Sequence, residues 1–251
     1  MASKQASKEV VAIAAAFEMT VPDYINQGLA RGSEEVKSSD MVLPRLELVQ
    51  ALSPIKDLDE DAKEGYLFNS VTQEVIGDLA YFVNVYFRLE YLVWKDQKEG
   101  GGFFGSFATE GEAKARRAEV VAGGENPDLI EVVDTPVHYG LRITPDMSVC
   151  EQIVFSMAKT KSKVSRKWNA MIQIAGGDRF SRVYKITSFT DENKKGQKFK
   201  NFVVQPAGFA PKAAYIQAEA LYEILKTQEF RAAHETVSDA EGTATGERGG
   251  I

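Results

Sequence analysis

Residues 81–94 read YFVNVYFRLEYLVW, and one alternate set in them, Tyr81, Val83, Val85, Phe87, Leu89, Tyr91 and Val93, carries no charged side chain. Period two over this length is the pattern of a β-strand with one buried face. The other set, Phe82, Asn84, Tyr86, Arg88, Glu90, Leu92 and Trp94, mixes rings with charges. Water alone does not favour so many rings, so this second face is expected to meet another element or to bind something flat.

Working outward, Val42, Leu46 and Leu48 alternate with Arg45 and Glu47, and Pro44 suits the entry of an edge strand. After the long strand, Gly100-Gly101-Gly102 makes a turn, with Phe103, Phe104 and Phe107 expected to fold back on the core. The run lacks the Gly-Lys-Ser/Thr ending of a phosphate loop. Glu110 to Val121 reads as a charged helix ended by Gly123-Gly124. His138 to Thr144 and Glu151 to Ala158 read as strands around a turn at Pro145-Asp146. Val164, Trp168, Met171, Ile172 and Ala175 then form one apolar helical stripe, which Gly176-Gly177 terminates. Arg179 to Phe189 and Lys198 to Gln205 read as a hairpin, and Pro211 to Lys226 as an amphipathic helix.

Strand, long strand, strand, helix, strand, hairpin, strand is the order of a five-stranded OB-like Greek-key barrel. The expected class is therefore mainly β (α+β), with strands at 42–50, 81–94, 150–158, 179–189 and 198–205 and a bridging helix at 163–175. Residues 95–145 are then an insertion. The expected organisation is an N-terminal helical arm and linker over 1–40, the core over 41–210, a C-terminal helix over 211–230 and a disordered tail over 231–251.

Charge points to a partner. Between Lys159 and Lys200 there are twelve basic and three acidic residues, a local charge of +9 in a chain of −6. A basic segment on an acidic protein is the footprint of a polyanion site, and interleaved rings suit bases. The candidate phosphate contacts are Lys159, Lys161, Lys163, Arg166, Lys167, Arg182, Lys185, Lys194, Lys195, Lys198 and Lys200. Tyr86, Trp94, Tyr184 and Phe199 are the candidate stacking rings, with Arg88 a planar cation beside them. Trp168, on the apolar stripe, is expected in the core.

The plainer reading is that a lysine-rich hairpin keeps a sheet edge soluble. It covers Lys194 and Lys195 but not the basic helix before them. No cofactor is expected. With Cys150 the single cysteine and His138 and His234 the only histidines, neither a disulfide nor a Cys/His zinc site is expected. The apolar run Val10 to Phe17 is bracketed by Glu9 and Glu18 and is short for a signal peptide, and no stretch is long enough to span a bilayer. A cytoplasmic protein is expected.

Several stretches carry a family likeness. Leu43-Pro44-Arg45-Leu46 leads to Leu52-Ser53-Pro54, and Phe68-Asn69-Ser70 and Gly77 precede the aromatic strand ending in Val93-Trp94. Tyr184-Lys185-Ile186-Thr187 leads through Lys195-Gly196 and Asn201-Phe202 to Pro206-Ala207-Gly208. This pattern, over residues 41–226, resembles a group of bacteriophage early proteins, some of which look like OB-fold single-stranded DNA-binding proteins. The resemblance implies sequence-tolerant binding of single-stranded DNA in phage replication or recombination, with replication or recombination proteins as partners. Such proteins end in a strongly acidic tip that recruits partners, whereas this chain ends Glu247-Arg248-Gly249-Gly250-Ile251.

Two other classes stay open. One is a module that binds and modulates a host enzyme. The other is a metal-dependent nuclease, for which Glu131, Asp134, Asp146 and Glu151 are the available acids, although they lack a compact acidic-plus-lysine spacing. A binding protein rather than an enzyme is expected, and the C-terminal helix leaves a homo-oligomer open.

Overall fold

The computed structural model describes residues 43–95, 100–193 and 196–227, together with Gly32 and Glu35. The chain divides into two units, Met1–Met41 and Val42–Ile251. The expected helical arm and the expected tail both lie outside the described residues.

The second unit is mainly β. Its larger sheet is antiparallel and has the order β7-β6-β4-β8-β9. These strands are β4 (Ala80–Lys95), β6 (Ile130–Ile143), β7 (Cys150–Ser156), β8 (Arg182–Glu192) and β9 (Lys198–Phe209). A sixth strand, β5 (Gly102–Phe107), pairs with the far end of β4. A small antiparallel sheet joins β1 (Leu46–Leu48), β2 (Leu67–Asn69) and β3 (Val75–Gly77), with one helical turn, α1 (Ile55–Leu58), between β1 and β2. Among the described residues the unit has three longer helices: α2 (Glu110–Ala122), α3 (Ser162–Ala175) and α4 (Lys212–Thr227). Among the described residues no helix is long and apolar enough to cross a membrane.

The sheet does not close into a barrel, which corrects the expected OB-like assignment. Residues 44–50 do run between its two edges. At β7 they make one parallel bridge, Arg45 to Val154. Toward β9 the Gln50 side chain clamps the backbone of Lys200, accepting from its N–H at 2.7 Å and donating to its carbonyl at 2.9 Å. One bridge and one side-chain clamp are not strand ladders, so β1 stays in its own small sheet.

The expected insertion at 95–145 is also corrected, because it contains β6, which pairs with β4 from Tyr81↔Ile143 to Lys95↔Ile130. From Thr135 onward every residue of β6 is buried, so no alternation marks it. Pro136 and Gly140 further disguise its length. Two helices follow the sequence reading. α3 ends at Gly176, whose φ of +67° suits glycine, and α2 begins with a capping box between Thr109 and Glu112.

β4 is wound differently from its sequence pattern. Asn84 lies opposite Gly140 and Tyr86 opposite Tyr139, so Val85 is an extra residue, a β-bulge. Its alternation therefore changes sides: Val83, Val85 and Tyr86 all pack on one cluster with Tyr139, Leu141 and Val183. The helix α4 covers that face with Ala214, Ala218, Leu221 and Leu225. On the other face α3 and the small sheet cover Phe82, Phe155, Tyr184, Ile186, Phe202 and Val204. Trp168 is fully buried there, edge-on to Phe82, Phe155 and Tyr184. Truncating a ring so placed costs about 3–5 kcal/mol. Farther along this face α2 covers Val93 and Ile130 with Ala113 and Val120.

Candidate nucleic-acid interface

Between the parts of β4 covered by α3 and by α2, the sheet is left open. Phe87 and Leu89, moved to this face by the bulge, form its floor with Val132, Asp134 and Pro136 of β6. Ser162, Ser165, Arg166 and Asn169 of α3 make one wall, with Lys159 just before the helix. The groove holds about 570 Å³, within the ~300–1,000 Å³ usual for ligand sites. Leu89 is 40% exposed, a large apolar side chain in the middle of a sheet facing open space.

Lys159 and Arg166 line the groove, and further cations lie along α3. Lys163, Arg166 and Lys167 are exposed at i, i+3 and i+4, opposite the Trp168 stripe. Among the described residues none of the three forms an ion pair. Lys159 is exposed and paired at 3.6 Å with Glu131, a weak contact at this exposure. Lys161 lies over the Phe202 ring at 5.9 Å, which joins α3 to β9. Lys200 and exposed Lys198 stand two and four residues along from Phe202, on the same strand face. Lys200 also donates from Nζ to Thr190 Oγ1 at 2.9 Å. Lys194 and Lys195 lie outside the described residues.

The expected stacking rings are not presented. Tyr184 is buried against Trp168 and Phe199 is buried as well. Tyr184 faces inward because α3 and the small sheet cover its side of β8, whereas Phe199 is on the opposite face of β9 from Phe202. Tyr86 and Arg88 are on the face under α4, away from the groove. Tyr86 meets Tyr222 at 6.1 Å, and Arg88 lies over Tyr86 at 5.3 Å while donating to the Leu225 carbonyl in the last turn of α4. Arg88 thus caps a helix C-terminus, where carbonyls lack intrahelical partners. Trp94 is at the far end of β4 against Phe103 of β5, 4.7 Å between centroids. Arg182 lies over exposed Phe209 at 4.7 Å, and its Nε is buried without a partner among the described residues. Lys185 is half-buried on β8.

Beneath the groove is a polar chain that the sequence reading missed. Arg179 donates to Asn84 Oδ1 at 3.1 Å and to Asn169 Oδ1 at 2.8 Å, and lies over Phe87 at 5.5 Å. Asn84 Nδ2 is 2.9 Å from His138 Nδ1, and His138 Nε2 is 2.8 Å from Ser165 Oγ. Burial, and then the Arg179 charge, hold His138 well below its ordinary pKa of 6.5. Burial likewise lowers Arg179. Parity along β4 places Phe87 and Leu89 in the core, and one bulge reverses it. Ser165 and Asn169 carried a usable signal, since they flank Trp168 at i−3 and i+1 and border the buried stripe.

Of the acids considered for a nuclease, Glu131 and Asp134 line the groove, while Asp146 and Glu151 are not among its lining residues. Glu151 pairs with Arg142 and Glu131 with Lys159, while Asp134 borders the groove. The Asp146 carboxyl is lowered to about 2 by hydrogen bonds from Thr144 and Ser148 in its own turn. Among the described residues no three His, Cys, Asp or Glu side chains gather to hold a metal ion.

No curated protein and no solved structure matches this chain. A family model does match, over residues 14–231, and it describes a Pam3 phage gp34-like protein. That match spans most of the 251 residues and agrees with the bacteriophage likeness read from the sequence. The chain belongs to the Pam3 phage gp34-like protein family.

Proposed function

We propose that the chain is a binding module for single-stranded DNA, tolerant of sequence and without catalysis of its own. It would protect or organise the strand in phage replication or recombination. One observation carries this reading: an open groove floored by Phe87 and Leu89 has Lys159 and Arg166 among its lining residues, and the helix that carries Arg166 also exposes Lys163 and Lys167. Single strands are held by cations that track phosphates and by apolar or aromatic surface against bases, and every base offers a face. The groove supplies both on one side of the molecule. It takes the place of the Tyr86, Arg88 and Trp94 trough expected from the sequence.

The test is binding of fluorescent oligothymidine across salt concentrations. Each phosphate contact to a single strand contributes a slope of about −0.7 in log K against log salt. The triple variant Lys163→Glu, Arg166→Glu and Lys167→Glu is expected to bind more weakly and to lower the slope by about 2. These side chains are exposed, so the urea midpoint should hardly move. Absence of binding by the parent protein at low and moderate salt alike would sink the reading and favour a protein-binding module.

A further inference from the structure

Arg179 is a half-buried guanidinium whose counter-charge is missing. Among the described residues no carboxylate lies within ion-pair distance of it, and its two hydrogen-bond partners are neutral amide oxygens, of Asn84 and Asn169. The adjacent acid, Asp178, is engaged elsewhere, accepting from the Tyr215 hydroxyl of α4 at 2.6 Å. Arginine stays protonated in proteins, and a cation taken out of water costs stability unless an anion compensates it. An acid at position 169 would supply the compensating charge.

The neutral partners hold the group in a fixed plane. Asn84 can offer its carbonyl to Arg179 only because its amide nitrogen is occupied by His138 Nδ1. His138 in turn is held through Nε2 by Ser165 on α3. Two of the five guanidinium N–H groups are used in this way. The plane lies over Phe87, and both Phe87 and Asn169 line the groove. The guanidinium is therefore oriented, has no carboxylate partner among the described residues, and lies against two residues that line the groove.

We infer that Arg179 anchors a phosphate subsite at this end of the groove, where two phosphoryl oxygens accept from its remaining N–H groups. Arg166, on the same wall, supplies a second cation. A planar fork matches two oxygens of one phosphate, which a lysine does not. The inference rests on the proposed strand-binding reading, but the phosphate can be tested without a strand.

The experiment follows melting temperature with added dTMP, inorganic phosphate or thymidine. At about ten times its Kd, a ligand selective for the folded state should raise the melting temperature by about 3 °C. dTMP is expected to do so and thymidine not. An equal rise with inorganic phosphate assigns recognition to the phosphoryl group alone, and a smaller one assigns part of it to the nucleoside. Arg179→Gln should abolish the response, but it risks the fold. Asn169→Asp avoids that risk, because it keeps the arginine and supplies the absent anion. Its melting temperature should equal or exceed the parent's while the dTMP response disappears. A full response in Asn169→Asp, or none in the parent, would overturn the inference. If dTMP responds as expected while oligothymidine fails to bind, the subsite stands and the strand-binding proposal falls.

Discussion

His138 shows how one atom's hydrogen bond fixes the next. Asn84 Oδ1 accepts from Arg179, so its Nδ2 must face the ring, and Nδ1 of His138 must be the acceptor. The proton therefore sits on Nε2 and is donated to Ser165 Oγ. This is the reverse of a serine activated by a histidine base, where the ring nitrogen accepts from the hydroxyl. Protonating Nδ1 would place two donors face to face beside Arg179. The folded pKa lies well below 6.5, so below about pH 6.5 the unfolded chain binds a proton that the folded chain refuses. Stability is complete above that pH and falls as pH drops toward the folded pKa, by up to about 1.4 kcal/mol per unit. Urea midpoints between pH 7.5 and 5.5 should show this slope in the parent and lose most of it in His138→Gln. Equal slopes would mean that the ring is not held neutral. At this scale the sequence was legible only in part. The cations of α3 were readable from helical spacing, but Arg179 draws its meaning from Asn84, ninety-five positions away, and no local pattern records that contact.

At the scale of elements, the bulge at Val85 decides which face becomes a groove. It depends on Gly140, where a Cβ would lie 2.1 Å from the Val83 carbonyl oxygen and 2.4 Å from the Phe82 ring. The first is backbone and the second is the tip of a ring fully buried in the core, so the strand backbone or the core would have to move. Gly140→Ala is expected to cost about 3 kcal/mol or more, at or beyond the upper end of ordinary overpacking. A urea midpoint within error of the parent's would show that the bulge is not pinned there. Helix α3 was legible because Val164, Trp168, Met171 and Ile172 keep one period and glycine ends it. β4 was legible as a strand, though not in its faces, since inserting one residue exchanges inside for outside without changing composition. β6 was hidden for the opposite reason: buried on both faces and interrupted by Pro136, it shows no period at all.

Over the whole molecule, charge gives the proposed strand a direction. The chain is −6 overall while residues 159–200 are +9, so a polyanion is repelled except along one track. That track begins at the groove with Lys159 and Arg166, passes the start of α3 where Lys161 lies over Phe202, and continues along β9 to Lys200 and Lys198. Four residues of strand separate Lys198 from Phe202, about 13 Å at the usual rise. A short strand in the groove has no reason to reach the hairpin, whereas a long one must pass it. Lys198→Glu should therefore weaken an oligothymidine of about sixteen nucleotides and leave one of about four nearly unchanged, those lengths bracketing the site sizes of single-strand modules. The α3 triple variant should weaken both. Fluorescence anisotropy at fixed salt separates the cases, since a shared electrostatic background would lower both lengths together. Equal loss for both lengths in Lys198→Glu would make the hairpin, not the groove, the primary seat of the strand. Phe87 and Leu89 would then have to be explained as packing for something other than a base.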